Sequence, residues 1–268
     1  MDRPPRAWHV FAVFLAAIAS ILATTWLAFG VLASWDPDVP HEVLLRSLSG
    51  MLAASLGASA GFLLTLAVAL RPFDPAALRL TPGWETGGTL AVAVAGLLAL
   101  GQALDSATFL AGLGDRGAMA EIRRLLEGAA GPELFAAVVV IGVIAPAVEE
   151  TFFRGFMQPR LAAHWGARPA VLATSACFAA LHVDTSGIHV ALALALSVYL
   201  GFVAHLTGST LPAIVCHIVN NTVFTLQTAL GWTVTGRGLN AALAAACAVV
   251  FVGCVARLRR AAPEAPPA

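Results

Sequence analysis

Two adjacent carboxylates and an arginine, Glu149, Glu150 and Arg154, follow fifteen residues that carry no charge, LFAAVVVIGVIAPAV. Ionisable groups within an apolar run are expensive in hydrocarbon and by default mark function. Glu150 and Arg154 stand four apart, which on a helix brings the guanidinium to the carboxylate and keeps it ionised and oriented. Two further clusters repeat the spacing. Phe178 and His182 in FAALH put a ring one turn from an imidazole, and His217 and Asn221 in HIVNN project two polar tips side by side. A carboxylate base within reach of a water, with N–H groups aimed at a developing negative charge, is the equipment of a hydrolytic site. Each cluster alone also has a plainer reading. Arg154 would reach headgroups at a membrane edge, His182 would be a bonded core histidine, and His217 with Asn221 would join helices. Their joint occurrence favours one shared site.

The elements that must position these residues follow from composition. The chain is 59% hydrophobic and 11% charged, with a mean hydropathy of +0.85. So few charges cannot coat a soluble domain of this length. Apolar stretches of about 20 residues, enough to cross a hydrocarbon core of about 30 Å, recur throughout. The fold class is therefore all-α, a polytopic membrane helical bundle of about eight transmembrane helices. They are predicted near 8–33, 43–70, 86–104, 133–160, 168–183, 188–206, 210–230 and 238–257. The first run, Trp8 to Trp35, is too long for a signal-peptide core and reads as a retained helix.

Residues 1–132 form an N-terminal scaffold of three spans and a loop, in which AEIRRLLEG has the pattern of an interfacial amphipathic helix. Residues 133–230 form a catalytic core of four transmembrane helices, and 231–268 hold the last span and a basic, Pro-rich tail predicted to be disordered. No comparable polar cluster falls within the first three predicted spans. Glu149 lies 17 residues before Gly166 and His182 lies 16 after it. An antiparallel hairpin thus sets both about 24–26 Å from the turn. His217, early in its own span, meets them only if the turn around Gly166 protrudes.

The basic residues are all arginine, and with abundant Ala and Gly this points to a GC-rich bacterial genome and a bacterial inner (plasma) membrane. With eight spans, Arg3 and nine other arginines fall on the side of the termini against five opposite, Arg123 and Arg124 among the latter. The positive-inside rule then places both termini in the cytoplasm. A net charge of zero gives no reason for a nucleic-acid partner. Cys177, Cys216, Cys247 and Cys254 lack metal or redox spacing and read as buried apolar side chains. His9, His41, His164, His189 and His205 belong to no cluster and read as interfacial or structural.

The three clusters, in this order, resemble the signature of the CPBP family of intramembrane proteases, which includes CAAX prenyl endopeptidases and Abi-type bacteriocin-processing or immunity proteins. The family carries E-E-x-x-x-R, F-x-x-x-H and H-x-x-x-N on successive membrane helices. Here they read Glu149-Glu150-TFF-Arg154, Phe178-AAL-His182 and His217-IVN-Asn221, and the resemblance covers about residues 133–230. It implies Glu149 as general base, His182 as holder of the attacking water, and His217 and Asn221 as oxyanion donors. Glu150, Arg154 and Phe178 would be supporting residues. It also implies contact with membrane lipid and a membrane-associated peptide or protein substrate, lipid-modified in some members.

The metal question stays open at this level. The family has been classed as metalloprotease and also described as using a glutamate-activated water. Glu149, His182 and His217 are a zinc donor set with water in the fourth position. The motif H-E-x-x-H is absent, because HEVLL has leucine at its last position, and the expectation leans slightly towards no cofactor. Other intramembrane proteases fit less well. GLGD at 112–115 lies in a polar loop without a partner Y-D, and GASA at 57–60 fails G-x-S-G. The competing function is a non-catalytic membrane immunity or scaffold protein that binds a peptide, which has no need of all four of Glu149, His182, His217 and Asn221. A proton-coupled transporter would show inverted repeats, and none is evident.

Overall fold

The computed structural model describes residues 6–35, 37–71 and 74–262; Arg3 and the Pro-rich end of the tail lie outside them. Among the described residues there are ten helices and no strand. In chain order they are α1 Ala7–Trp35, α2 His41–Leu45, α3 Leu48–Ala69, α4 Gly87–Leu110, α5 Gly117–Leu126, α6 Gly131–Trp165, α7 Ala167–Ala180, α8 Ile188–Thr207, α9 Leu211–Ala229 and α10 Arg237–Ala261, with a 3-10 turn Ala76–Leu78 after α3. The chain is a polytopic helical bundle.

Six helices, α1, α3, α4, α6, α8 and α10, are long and apolar enough to cross a membrane, where the sequence predicts about eight. The other two places are taken by α7 and α9, which fall short for separate reasons. Helix α7 has 14 residues, about 21 Å, before the chain turns at 181–187. Helix α9 is diluted by His217, Asn220, Asn221 and Gln227. Both pack on α6 and α8, so neither needs an apolar coat on every face.

Local chemistry explains the remaining boundaries. The predicted second span is broken because Ser47 accepts the Gly50 N–H at 3.0 Å and starts α3 afresh after the short α2. Thr86 caps α4 in the same way, from Thr89 at 3.2 Å. Helix α4 runs on past its predicted end and carries Asp105, a charge expected outside the first three spans. Arg123 of α5 pairs with it. The predicted amphipathic helix forms as α5 and buries Ala120 and Leu126, packed on α8 and α9.

Helix α6 carries 35 residues and two internal prolines. Proline lacks the N–H, and its ring clashes with the carbonyl four residues back. Each of these prolines follows a stretch of wider π turns, Val138–Ile144 before Pro146 and Thr151–Met157 before Pro159. There Ala145 and Gln158 donate five residues back, to Val140 and Phe153. The helix continues instead of breaking, and its phase shifts on either side of Ala145–Glu150.

Two helix pairs clasp the middle of the bundle. In the first, α1 and α3 approach closely at Gly57 and Gly61, where an added Cβ would lie 2.5 Å from Thr25 and 2.6 Å from Ile21 backbone atoms. This is the small-x-x-x-small contact of membrane helices. The pair covers Phe152, Phe153 and Phe156 of α6 with Phe14, Phe62 and Leu66. In the second, α10 packs along α4, and with α8 and α9 they bury Leu97, Tyr199, Leu200 and Cys216.

Candidate active site

Between those pairs, α6, α7, α8 and α9 converge on a charged centre. Glu150 and Arg154 are 0% and 1% exposed, a burial sustainable only by pairing. Arg154 donates through Nη1 to Glu150 Oε1 at 2.8 Å, and through Nη2 to the carbonyl and hydroxyl oxygens of Ser197 on α8 at 2.9 and 2.6 Å. Its guanidinium also lies 5.1 Å from the centre of the Phe178 ring. His217 of α9 brings Nδ1 to 2.8 Å from the same Glu150 oxygen. A carboxylate only accepts, so Nδ1–H donates and Nε2 is left for the site. One carboxylate oxygen therefore ties α6 to α9 and, through Arg154, to α8.

Glu149 has different surroundings. It is half-buried, accepts no hydrogen bond among the described residues, and lies within electrostatic reach of His217, Glu150 and Arg154. His182 sits just past the end of α7, with Nδ1 2.9 Å from the Phe178 carbonyl oxygen. That acceptor makes Nδ1 the protonated nitrogen and Nε2 the free acceptor. Phe178 separates the two imidazoles, its ring 4.6 Å from that of His182 and 6.1 Å from that of His217. Asn221, one turn beyond His217, donates Nδ2–H to the Ile141 carbonyl at 3.3 Å and accepts from Asn220 at 3.3 Å. Ile141 belongs to the first π stretch of α6, and α9 comes so close there that a Cβ on Gly142 would stand 2.7 Å from Thr222 Oγ1.

The condition that the sequence sets for His217 is met. Phe178 is eleven residues into α7 and His217 six into α9, yet their rings are neighbours. The α6–α7 hairpin must then extend about 7 Å past the α8–α9 turn. Glu150, Arg154, Phe178 and His217 interlock, while the half-buried Glu149, His182 and Asn221 surround them. Glu149 and His182 do not bond to each other.

Three neighbours escape the sequence reading. Ser197 is a single hydroxyl in LALALSVYL, and nothing local marks it as an arginine acceptor. Asn220 orients Asn221, and only its adjacency hints at that. His189, read as structural, stands against His182 with ring centres 4.8 Å apart, so it borders the centre. It gets there because the turn 181–187 folds α8 back beside α7.

The zinc donor set does not assemble. Among the described residues no three His, Cys, Asp or Glu side chains are placed to hold a metal ion, and His217 Nδ1 is engaged by Glu150.

Residues 131–223, about a third of the chain, match the family model for Type II CAAX prenyl endopeptidase Rce1-like. The match runs from the start of α6 into α9 and contains every residue of the three clusters. That segment of the chain is similar to the CAAX-type intramembrane proteases. No curated protein matches the chain, and no solved structure does.

Proposed function

We propose that this protein is an intramembrane endopeptidase that hydrolyses a peptide bond of a membrane-associated or lipid-modified peptide with a glutamate-activated water. The observation that carries this reading is the contrast between two adjacent carboxylates: Glu150 is sealed and doubly bonded, while Glu149 is reachable and unbonded beside it.

Glu149 takes a proton from a water held by His182 Nε2, and the hydroxide attacks the scissile carbonyl carbon. The oxygen that gains the negative charge receives N–H bonds from Asn221 Nδ2 and, when the ring is an imidazolium, from His217 Nε2. Glu149 then passes its proton to the amide nitrogen, the C–N bond breaks, and an acid and an amine leave. Glu150 and Arg154 are positioning residues that hold His217 and the α6 backbone in place.

The test is cleavage of a peptide library, including prenylated members, by purified protein in liposomes. The wild type is expected to cut at least one class that Glu149→Gln and His182→Ala leave intact, with no loss of activity under a zinc chelator. Equal cleavage by these variants would refute the reading. Specific peptide binding without cleavage would favour the immunity or scaffold reading.

A further inference from the structure

Helix α10 packs along α4 and meets α8 through Tyr199 and Phe251, whose rings are 5.4 Å apart. Between the three helices lies a groove of about 610 Å³, walled by residues including Leu100, Val198, Phe202, Phe251 and Val255. That volume falls within the range of about 300–1,000 Å³ found for ligand sites. Arg259 and Arg260, in the last turn of α10, close one end of the groove. Both are exposed, and neither has a carboxylate partner among the described residues. The Arg259 guanidinium lies 5.6 Å over the Phe202 ring, which directs it along the groove mouth.

The dimensions identify the occupant. From Phe251 to Arg260 the helix rises about 13 Å, close to one leaflet's share of a hydrocarbon core about 30 Å thick. The walls are apolar over a leaflet's depth and doubly cationic where headgroups begin. We infer that this groove binds one anionic phospholipid from the bilayer, with an acyl chain along α8 and α10 and the phosphate on Arg259 and Arg260. It is separate from the charged centre. Ser197, which holds Arg154, lies about 100° and 140° round α8 from Val198 and Phe202, so the groove and the charged centre use different faces of that helix.

Native mass spectrometry of the purified full chain, with phosphatidylglycerol and phosphatidylcholine of matched acyl chains, tests this. The wild type is expected to retain one phosphatidylglycerol in preference to phosphatidylcholine. The double variant Arg259→Gln/Arg260→Gln should bind it roughly thirtyfold more weakly, and Ala256→Trp should lose it by filling the groove with both charges intact. Equal retention of the two lipids overturns the inference, as does undiminished phosphatidylglycerol binding by the arginine variant. Displacement of the lipid by a prenylated peptide assigns the groove to substrate and also overturns it. Should Ala256→Trp fail to fold, the arginine variant, altered only at an exposed helix end, decides alone.

Discussion

Taking the carboxylate from Glu150 leaves the Arg154 guanidinium buried against Phe178 with only Ser197 to accept from it. Breaking a buried ion pair by removing one member costs about 3–5 kcal/mol, so Glu150→Ala should lower the melting temperature in detergent markedly. Glu149→Gln removes no hydrogen bond from the fold. Its stability should stay within about 0.5 kcal/mol of wild type, while kcat/KM falls by about 10²–10⁴, the usual share of a general base. Asn221→Ala should cost about 10²–10³ in kcat, as the loss of an oxyanion donor does. Paired melting and kinetic measurements on the three variants check the assignment. A Glu149→Gln protein that melts early would move that residue into the structural set.

At the scale of elements, the turn 181–187 is held to α5 by one carboxylate. Asp184 accepts from the Ala118 N–H at 2.8 Å, from the Ser186 hydroxyl at 2.8 Å and from the Gly187 N–H at 2.8 Å. These bonds, that from Ala118 foremost, hold its carboxyl below the usual carboxylate range. A depressed folded pKa means that the stabilisation is complete above the unfolded value of about 3.9. It is lost as pH falls through the lower folded value. Hydrogen exchange at the Ala118 amide should therefore show a constant protection factor from neutral pH to about pH 4 and loss below it, with Asp184→Ala unprotected throughout. The spacing of Glu150 to Arg154, Phe178 to His182 and His217 to Asn221 made the contents of the site legible, because i,i+4 neighbours share a face whatever the tertiary fold. The π stretches before Pro146 and Pro159 were not legible. A proline signals a disturbed ladder but not whether the helix kinks or widens. Ser197 was hidden for a related reason: its partner is 43 residues away, and only packing brings them together.

Across the whole molecule, apolar length predicted the helices well but counted α7 and α9 as ordinary spans. Their polarity and brevity are tolerated because other helices line them. The start of α1 and the end of α6 lie at one end, Phe11 against Trp165 with ring centres 5.8 Å apart. That end also holds Arg259 and Arg260. We expect it to be cytoplasmic: a C-terminal fluorescent-protein fusion should fluoresce and an alkaline phosphatase fusion should be inactive. The most direct test of the proposed chemistry is the single-turnover cleavage rate of one susceptible peptide in liposomes, measured for wild type and Glu149→Gln at equal folded concentration. We predict cleavage by the wild type and a rate at least about a hundredfold lower for the variant. A variant that cuts within a few-fold of wild type would contradict the account.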